Sequence, residues 1–439
     1  MVQQTIFPFK IEQTSEKLTA HGGLALMAEF NHGIGLRKLT DKYLPMPESN
    51  RGFKPSVFVE SLVLMLQGGG KALEDIRELD DEKELMRLTS NHKVPSPDAT
   101  GDWLRRMGES STKQVGLEGL DKVRNIINYR ILKQEERKDY TLDADAVEIT
   151  GEKFEAFYTY KGNKGYMPML GFLFESELCL YDEFREGNVS PGVGQKEFYL
   201  ECKKRMPNGK RIANYRADSA SYQAELINEL DADDVNYSIT ADMDKAVKGI
   251  INRIEEEEWK EPIKGCGYEL AEAVHSMEKT KKAFRLIIKR ERNKQLDLFV
   301  ESENKHYVIA TNWSDEEKDA QAVLTWHNHR GQAENFNKEL KNGIGMERMP
   351  CGQTNANAVF FRIGVIAYNL FIGFKKLTCP KDWIKHTIAT FRWKMVQVAG
   401  RIVRHAGAII LKLALEIKKI ELFRSIRQKS WELCLEWSG

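Results

Sequence analysis

The chain has 439 residues, 41% of them hydrophobic and 30% charged, with a formal net charge of +1. That length predicts two or three domains instead of one compact core, and the composition is that of a soluble globular protein. The balanced charge neither requires nor excludes a nucleic-acid partner. Six widely spaced cysteines without a Cys-x-x-Cys pair argue against a disulfide framework or a zinc ribbon.

The N-terminal sequence MVQQTIFPFKIEQTSEK lacks the basic flank and the apolar run of a signal peptide. No stretch of the chain approaches the uncharged length that a membrane span requires. We therefore expect a soluble, cytoplasmic protein with no membrane partner.

Residues 1 to about 135 have helical patterns and little alternation of β-branched residues, which predicts a helical N-terminal domain. Within it, the stretch PSPDATGDWLRRMGES offers Asp98 or Thr100 as a helix cap, followed by Arg105 and Arg106. This stretch is typical of a small helical DNA-binding element, and a surface turn explains it about equally well.

The pattern changes near Tyr140, where the segments YTLDADAVEI, EAFYTYKG and YMPMLGFLFESELCLYDEF predict three successive strands. A helix is predicted from Gln195 to Arg205, followed by a strand in RIANYRADS, a helix in SYQAELINEL and a strand in VNYSITADM. Strands that then alternate with helices predict a mixed α/β sheet.

Residues 244 to about 320 interrupt this pattern with an acidic run, RIEEEEW, and with new strand-like segments. They predict an inserted, mainly β subdomain. The remainder of the chain is hydrophobic and helical in pattern. From Lys381 onward it carries 12 Lys and Arg against 5 Asp and Glu, so basic charge is concentrated there.

One segment, WHNHRGQAENFNKELKNG, places polar residues at unusual spacing: His327, Arg330, Glu334 and Lys341. On one continuous helix, at roughly 100° per residue, these side chains fall within an arc of about 60°. Taken alone, the segment is most simply an amphipathic surface helix with i,i+4 pairs.

Acidic residues at strand ends suggest a site. Asp143 and Asp145 share one face of the first strand, and Asp218 ends the strand RIANYRADS. Asp218 alone would most simply cap a helix. Together with Glu334, however, carboxylates from two strands and a helix can converge on hard cations such as Mg²⁺. Two such ions, roughly 3.5–4 Å apart, can promote in-line phosphoryl displacement.

The chain resembles the DDE transposases of bacterial insertion sequences, the cut-and-paste group with a ribonuclease H-like core and a Tyr-x2-Arg-x3-Glu-x6-Lys signature. Arg330, Glu334 and Lys341 match that signature, with His327 where Tyr is usual. LDADAV resembles the block of the first acid, with Val147 where Thr is common, and RADS resembles the second. IATNW, ERMPCGQTNANAVFFRI and AYNLF resemble later blocks, in the same order.

The resemblance implies a set of catalytic and metal-binding residues: Asp145, Asp218 and Glu334. They would hold Mg²⁺ or Mn²⁺, with two ions expected. Aligning Asp-Ala-Val with the family's Asp-x-Thr favours Asp145 over Asp143 as the metal ligand. Asp143 would then orient Asp145 without binding the metal itself. Residues expected to contact DNA are the following: Arg330, Lys341, His327, Arg105 and Arg106.

The implied function is a DNA transposase that binds terminal inverted repeats, cleaves the element ends by metal-dependent phosphodiester hydrolysis and joins the 3′-hydroxyls to target DNA. Its partner would be double-stranded DNA, and two ends joined at once imply a homodimer in the synaptic complex. A bacterial, nucleoid-associated location is expected. The alternatives are a metal-dependent nuclease or resolvase of the same fold and a domesticated, non-catalytic DNA-binding protein.

The implied fold class is α/β, a ribonuclease H-like mixed sheet with an inserted mainly β subdomain, between a helical N-terminal domain and a helical C-terminal region. The expected parts are a helical DNA-binding domain (1–135), the first part of the catalytic core (136–243) and the inserted, mainly β subdomain (244–320). The last part of the core (321–375) and a basic helical C-terminal region (376–439) follow. In related transposases the insertion can help to open DNA ends. Trp259 or Trp313 could stack on a base there, although core packing is the simpler role for each.

Overall fold

The structure, a computed structural model, describes residues 10–89, 93–109, 115–292 and 304–438. The other parts of the predicted N-terminal domain and of the predicted insertion lie outside the described residues. The strands are, in chain order, β1 (Leu18–Thr19), β2 (Asp139–Ala146), β3 (Ile149–Thr150), β4 (Phe157–Tyr158), β5 (Lys164–Tyr166), β6 (Met169–Leu173), β7 (Leu178–Glu183), β8 (Arg211–Ala217), β9 (Asn236–Thr240), β10 (Glu269–His275), β11 (Phe284–Arg292), β12 (Asn304–Thr311), β13 (Gly400–His405) and β14 (Ala408–Leu413).

Helices surround these strands. They are, in chain order, α1 (Leu24–Gly33), α2 (Leu36–Tyr43), α3 (Pro55–Gly68), α4 (Ile76–Asp81), α5 (Lys83–Leu88), α6 (Pro97–Met107), α7 (Val115–Lys133), α8 (Gln195–Lys204), α9 (Ala224–Ala232), α10 (Lys245–Ile251), α11 (Ala320–Asn328), α12 (Arg330–Lys338), α13 (Thr354–Thr378), α14 (Lys381–Ile384), α15 (Ile388–Phe391) and α16 (Ile417–Ser438). Two π-helical turns, Glu339–Gly343 and Arg392–Val396, follow α12 and α15.

The central sheet has eight strands in the order β10-β11-β12-β9-β8-β2-β6-β7. The pairs β2–β8 and β8–β9 are parallel, and the other neighbours are antiparallel. Helix α9 makes the crossover from β8 to β9, as parallel neighbours require. This arrangement confirms the predicted mixed α/β sheet. The segment predicted as the strand EAFYTYKG forms only the two-residue strand β4.

The strands of the predicted insertion extend the central sheet and do not form a sheet of their own within the described residues. Strand β12 pairs with β9, with Thr311 opposite Ser238, and β11 and β10 follow outward. Insertion and core are therefore joined by backbone hydrogen bonds.

One hydrophobic core connects the N-terminal helices to the C-terminal half of the chain. Its buried members include Phe30 of α1, Leu62 of α3, Ile127 of α7, Phe371 of α13 and Ile426 of α16. The predicted boundary near residue 135 lies where the chain passes from α7 to β2, and the helices on both sides of it share this core.

By length and composition, helix α13 is the one helix among the described residues that could span a membrane, although Arg362, Lys375 and Lys376 interrupt its uncharged length. It has 25 residues, and its most apolar 18-residue window has a mean hydropathy of 1.5. Inside the protein, 94% of that window is buried. The helix is apolar because it lies at the centre of the hydrophobic core.

The C-terminal region was predicted to be helical, and the structure corrects this in part. Strands β13 and β14 form a hairpin, and β13 also pairs with β1 from the N-terminal end. Ala406 and Gly407 make the turn with φ values of 48° and 79°. Positive φ at two successive residues gives the turn type whose twist suits a two-residue hairpin.

Candidate active site

Asp143 on β2 lies in a closed, buried ion pair. Arg216 of β8 donates to its two carboxylate oxygens, from Nε at 2.6 Å and Nη2 at 2.9 Å, and both side chains are at most 2% exposed. The guanidinium lies between the rings of Phe174 and Trp326, at 4.5 and 4.7 Å from their centroids. Burial raises the pKa of Asp143 to about 6, against the opposing effect of Arg216.

Asp145, two residues further along β2, lies among carboxylates. Burial raises its pKa to about 7, and the negative charges of Asp218 and Glu334 add to the rise, while Arg330 opposes it. Asn337 of α12 donates a hydrogen bond from Nδ2 to Oδ2 of Asp145 at 2.9 Å. The structure thus brings the three predicted acids close enough to interact electrostatically.

Asp218 follows the last residue of β8. Parallel pairing sets Ala144 of β2 opposite Ala217 of β8, so Asp145 and Asp218 are the next residues on two adjacent strands. Oδ1 of Asp218 accepts a hydrogen bond from the backbone N–H of Ala220 at 3.0 Å and caps the 3₁₀ turn Ser219–Ser221. The capping role expected for Asp218 is confirmed, and it coexists with proximity to Asp145.

Glu334 lies on α12 with 61% of its side chain exposed, and its Oε1 is 3.5 Å from Nη2 of Arg330. Among the described residues, no group of three or more His, Cys, Asp and Glu side chains is arranged closely enough to hold a metal ion. Glu334 is therefore near Asp145 but not gathered with it around a common point.

Asp145 and Glu334 line an open cleft of about 470 Å³. Its lining combines carboxylates with basic and amide side chains: Asp145, Ala146, Val147, Glu148, Lys161, Glu334, Asn337, Lys338, Lys341 and Asn342. Lys341 donates from Nζ to the backbone carbonyl of Glu148 at 2.7 Å, and burial lowers the pKa of this lysine. The cleft can therefore receive an anionic chain beside a cluster of acids.

The segment predicted as one helix over 326–343 is divided into three parts. Helix α11 ends at Asn328, α12 begins at Arg330, and a π-helical turn follows from Glu339. Despite these breaks, Glu334 and Lys341 line the same cleft and Arg330 lies beside Glu334, whereas His327 is buried.

The burial of His327 contradicts its predicted contact with DNA. The side chain is 1% exposed, with Nδ1 2.5 Å from Ser238 Oγ and Nε2 2.9 Å from Tyr307 Oη and 3.1 Å from Thr240 Oγ1. Burial, with the nearby charge of Arg330, lowers its pKa to about 3. A neutral, enclosed imidazole has no surface for the predicted DNA contact, and its role is to join α11 to the sheet.

Arg105 and Arg106 are exposed on α6, as a DNA-binding role requires. Arg105 pairs with Asp102 at 2.5 Å, and both arginines line a second cleft of about 620 Å³ with Glu155 and Asn355. The cap of this helix differs from both candidates, Asp98 and Thr100. It is the residue before Pro97, Ser96, whose hydroxyl accepts from the N–H of Ala99, since proline takes the first helical position.

Sequence reasoning missed two side chains that hold the site. Arg216 lies inside RIANYRADS, but its pairing with Asp143 depends on the register of two strands 73 positions apart. Asn337 follows Glu334 by three residues, which is the spacing of neighbours on one helix face and could have indicated it.

The described fold is that of a mixed α/β protein with a cleft at the end of β2 that both carboxylates and lysines line. The sequence model of the family described as "Transposase DDE domain group 1" matches residues 7–431, and the chain belongs to this family of DDE transposases. A cryo-EM structure of the piggyBac transposase synaptic complex with hairpin DNA is similar at a TM-score of 0.47 and 12% identity, over 95% of this chain and 81% of that chain. No curated protein matches the chain.

Proposed function

We propose that this DNA transposase binds the terminal inverted repeats of its own element, cleaves the ends by metal-dependent hydrolysis and joins the freed 3′-hydroxyls to target DNA. One observation carries the proposal: Asp145 interacts electrostatically with Asp218 and Glu334, and Asp145 and Glu334 line a cleft that lysines also line. Membership of the DDE transposase family supports it.

The donor chemistry of the three acids fits divalent cations. Mg²⁺ and Mn²⁺ prefer carboxylate oxygens, and a cation would relieve the repulsion that, in addition to burial, raises the pKa of Asp145. Glu334 is largely exposed, so packing does not prevent its carboxylate from turning toward Asp145 and Asp218. Bound ions, two in this proposal, would activate an attacking oxygen and stabilise a leaving oxygen.

The basic residues of the cleft would position DNA. Lys341 is held by the Glu148 carbonyl at the wall of the cleft, and Lys161 and Lys338 line it as well. We assign these lysines to phosphates near the scissile bond and Arg330, beside Glu334, to the same strand. Arg105 and Arg106, which line the second cleft, would bind the repeat further away. Phosphate contacts of this kind set register without reading sequence.

We also propose a ribonuclease H-like core and the domain boundaries expected from the sequence. The strand order β7-β6-β2-β8-β9, with three parallel strands and an antiparallel hairpin beside β2, supports that core. Two element ends would be joined by a homodimer.

The test is Mg²⁺-dependent nicking of a labelled duplex that carries the inverted repeat flanking the gene. Glu334→Gln keeps size and polarity but removes the charge, so nicking should fall by orders of magnitude. Duplex binding and thermal unfolding should be nearly unchanged, because the side chain is largely exposed.

The matched control is Glu316→Gln, a change at an exposed glutamate before α11, which should nick as the unmodified protein does. Glu339 is a poor control, because its Oε2 accepts from the N–H of Ile388 at 2.7 Å. Full nicking by the Glu334 variant would contradict the proposed site. Nicking without joining to a target duplex would favour a nuclease of the same fold.

A further inference from the structure

An unusual concentration of exposed aromatic side chains lies beside the cleft. Phe154 is 90% exposed, Phe157 44%, Tyr158 70% and Tyr160 65%. We name residues 154–166, which include β4 and β5, the aromatic hairpin. Singly scattered exposed hydrophobic residues are normal, whereas four exposed rings within seven residues make this segment a candidate binding surface.

The backbone of the aromatic hairpin is held firmly although its rings are exposed. The carboxylate of Glu148 accepts a hydrogen bond from Thr159 Oγ1 at 2.5 Å and one from Asn163 Nδ2 at 3.3 Å. The carbonyl of Glu148 in turn accepts from Lys341. Side-chain hydrogen bonds thus fix the hairpin to the wall of the catalytic cleft.

The aromatic hairpin also borders both clefts. Lys161 lines the cleft of the acids, while Glu155 lines the second cleft together with Arg105 and Arg106. The carboxylate of Glu155 accepts from the backbone N–H of Thr354 at 2.8 Å, which fixes that side of the hairpin. A DNA strand that extends from the arginines of α6 to the acids would pass the exposed rings.

The tryptophans considered for base stacking in the insertion are not accessible in the same way. Trp259 is 9% exposed and Trp313 is 4% exposed, and the ring of Trp259 is covered by the Arg290 guanidinium at 4.2 Å. Core packing, the simpler of the two roles considered for them, fits this burial. Tyr158 and Tyr160 of the aromatic hairpin, in contrast, are largely exposed, and Lys161 Nζ lies over one face of the Tyr160 ring at 5.5 Å from its centroid.

We propose that the aromatic hairpin is a stacking surface for unpaired bases of a DNA strand whose phosphates lie in the catalytic cleft. Tyr158 and Tyr160 would stack on bases, and Lys161 would bind the adjoining phosphate. Stacking accepts any base, because every base has a π-face, and basic side chains add a salt-dependent attraction. This assignment rests on the proposed function and adds to it a preference for DNA that is opened near the cut.

The test compares two fluorescein-labelled DNAs of equal length, a fully paired duplex and a forked duplex with an unpaired thymine arm. Fluorescence anisotropy without divalent metal measures binding separately from cleavage. The unmodified protein should prefer the fork. Tyr158→Ala combined with Tyr160→Ala should weaken fork binding about tenfold or more, since alanine substitution at a stacking aromatic has effects of that order. Binding of the paired duplex should change little.

A fluorescent base gives a direct signal of stacking. 2-Aminopurine in the unpaired arm should be quenched by the unmodified protein and not by the double alanine variant. The double variant Tyr158→Phe with Tyr160→Phe keeps the rings and should preserve both the quenching and the fork preference. Tyr129→Ala removes a tyrosine of α7 that is 47% exposed and serves as the control, with no effect expected.

Three results would overturn the assignment: no fork preference in the unmodified protein, equal weakening of both DNAs, or unchanged fork binding in the double alanine variant. In the last case, loss of self-association in analytical ultracentrifugation would identify the aromatic hairpin as an interface between protein copies. If the proposed function is wrong, the results differ: the unmodified protein still prefers the fork, but neither it nor any variant nicks the inverted-repeat duplex.

Discussion

Two carboxylates on β2 occupy opposite electrostatic settings. Asp143 faces a guanidinium that is fixed by two hydrogen bonds and covered by two rings, so its charge is balanced within the protein. Asp145 faces Asp218 and Glu334, and these like charges raise its pKa further than burial alone. The Asp143 charge is compensated inside the protein, whereas Asp145 is surrounded by like charges, and a cation held there under the proposed function would relieve their repulsion.

The same contrast recurs between α11 and α12. His327 on α11 is buried and neutral, with both ring nitrogens engaged by the sheet and Tyr307. Glu334 on α12 is exposed beside the cleft. The break between the two helices separates a residue that holds the fold from one that is available for chemistry.

The largest expected effect separates the two aspartates directly. Asp145→Asn should reduce nicking by orders of magnitude, because it removes a proposed metal ligand from the acids at the cleft. Asp143→Asn should leave measurable nicking per folded molecule, because that carboxylate binds Arg216. Both are measured with the inverted-repeat duplex, and protein concentration is corrected by the folded fraction. The reverse ranking would assign the ligand to Asp143.

The second effect concerns stability. Arg216→Met leaves the Asp143 carboxylate buried without its cation, and loss of one partner of a buried pair costs about 3–5 kcal/mol. Urea unfolding should therefore show a large decrease in the free energy of unfolding. The double variant Arg216→Met with Asp143→Leu removes the stranded charge and should recover much of this loss. A double variant no more stable than the single one would mean that the ring contacts of Arg216 dominate.

The third effect is a dependence of stability on pH. The pKa of His327 is about 3 in the folded protein and about 6.5 in an unfolded chain. The unfolded state therefore binds the additional proton between these values, so this contribution to stability is complete above pH 6.5 and decreases as the pH falls. Between pH 7.5 and 5.0 it should decrease by about 2 kcal/mol.

His327→Gln removes this titration and keeps polar atoms near Ser238 and Tyr307. The charged groups that affect the imidazole are the guanidinium groups of Arg330 and Arg216. Urea unfolding at the two pH values should show a smaller decrease for the variant than for the unmodified protein. Identical decreases would mean that the imidazole takes up a proton in the folded state.

The sequence predicted those helices and strands whose hydrophobic pattern alone determines their secondary structure. Strands β2, β8 and β9 and helices α8 and α9 lie where alternation and periodicity placed them. The strand-end acids could be chosen because side chains alternate along strands. The break at His329 had no strong local signal, since the apolar periodicity continues through it. It depends on contacts of α11 with strands far away in sequence.

Exposure was the other property that local pattern could not give. The alternation in EAFYTYKG resembles that of a half-buried strand, yet Phe157 and Tyr158 are both exposed on β4, one of the two edge strands of a three-stranded sheet. Burial of Asp143 likewise depends on Arg216, which reaches it only in the register of β2 with β8. Each of these properties follows from tertiary pairing.

The smallest expected effect tests how the Asp145 carboxylate is oriented. Asn337 is 7% exposed, donates to Asp145 and has a buried Oδ1 without a hydrogen-bond partner among the described residues. Asn337→Ala removes the donor that orients the carboxylate but leaves all three acids, so nicking should fall about tenfold, as for other groups that support metal ligands. The Mg²⁺ concentration for half-maximal nicking should rise, which a loss of stability alone would not produce. Asn342→Ala alters an exposed amide of the same cleft and should have little effect. An unchanged Mg²⁺ requirement in the Asn337 variant would mean that the backbone of β2 alone orients Asp145. Glu334 would then be the one residue of α12 that the proposed metal site needs.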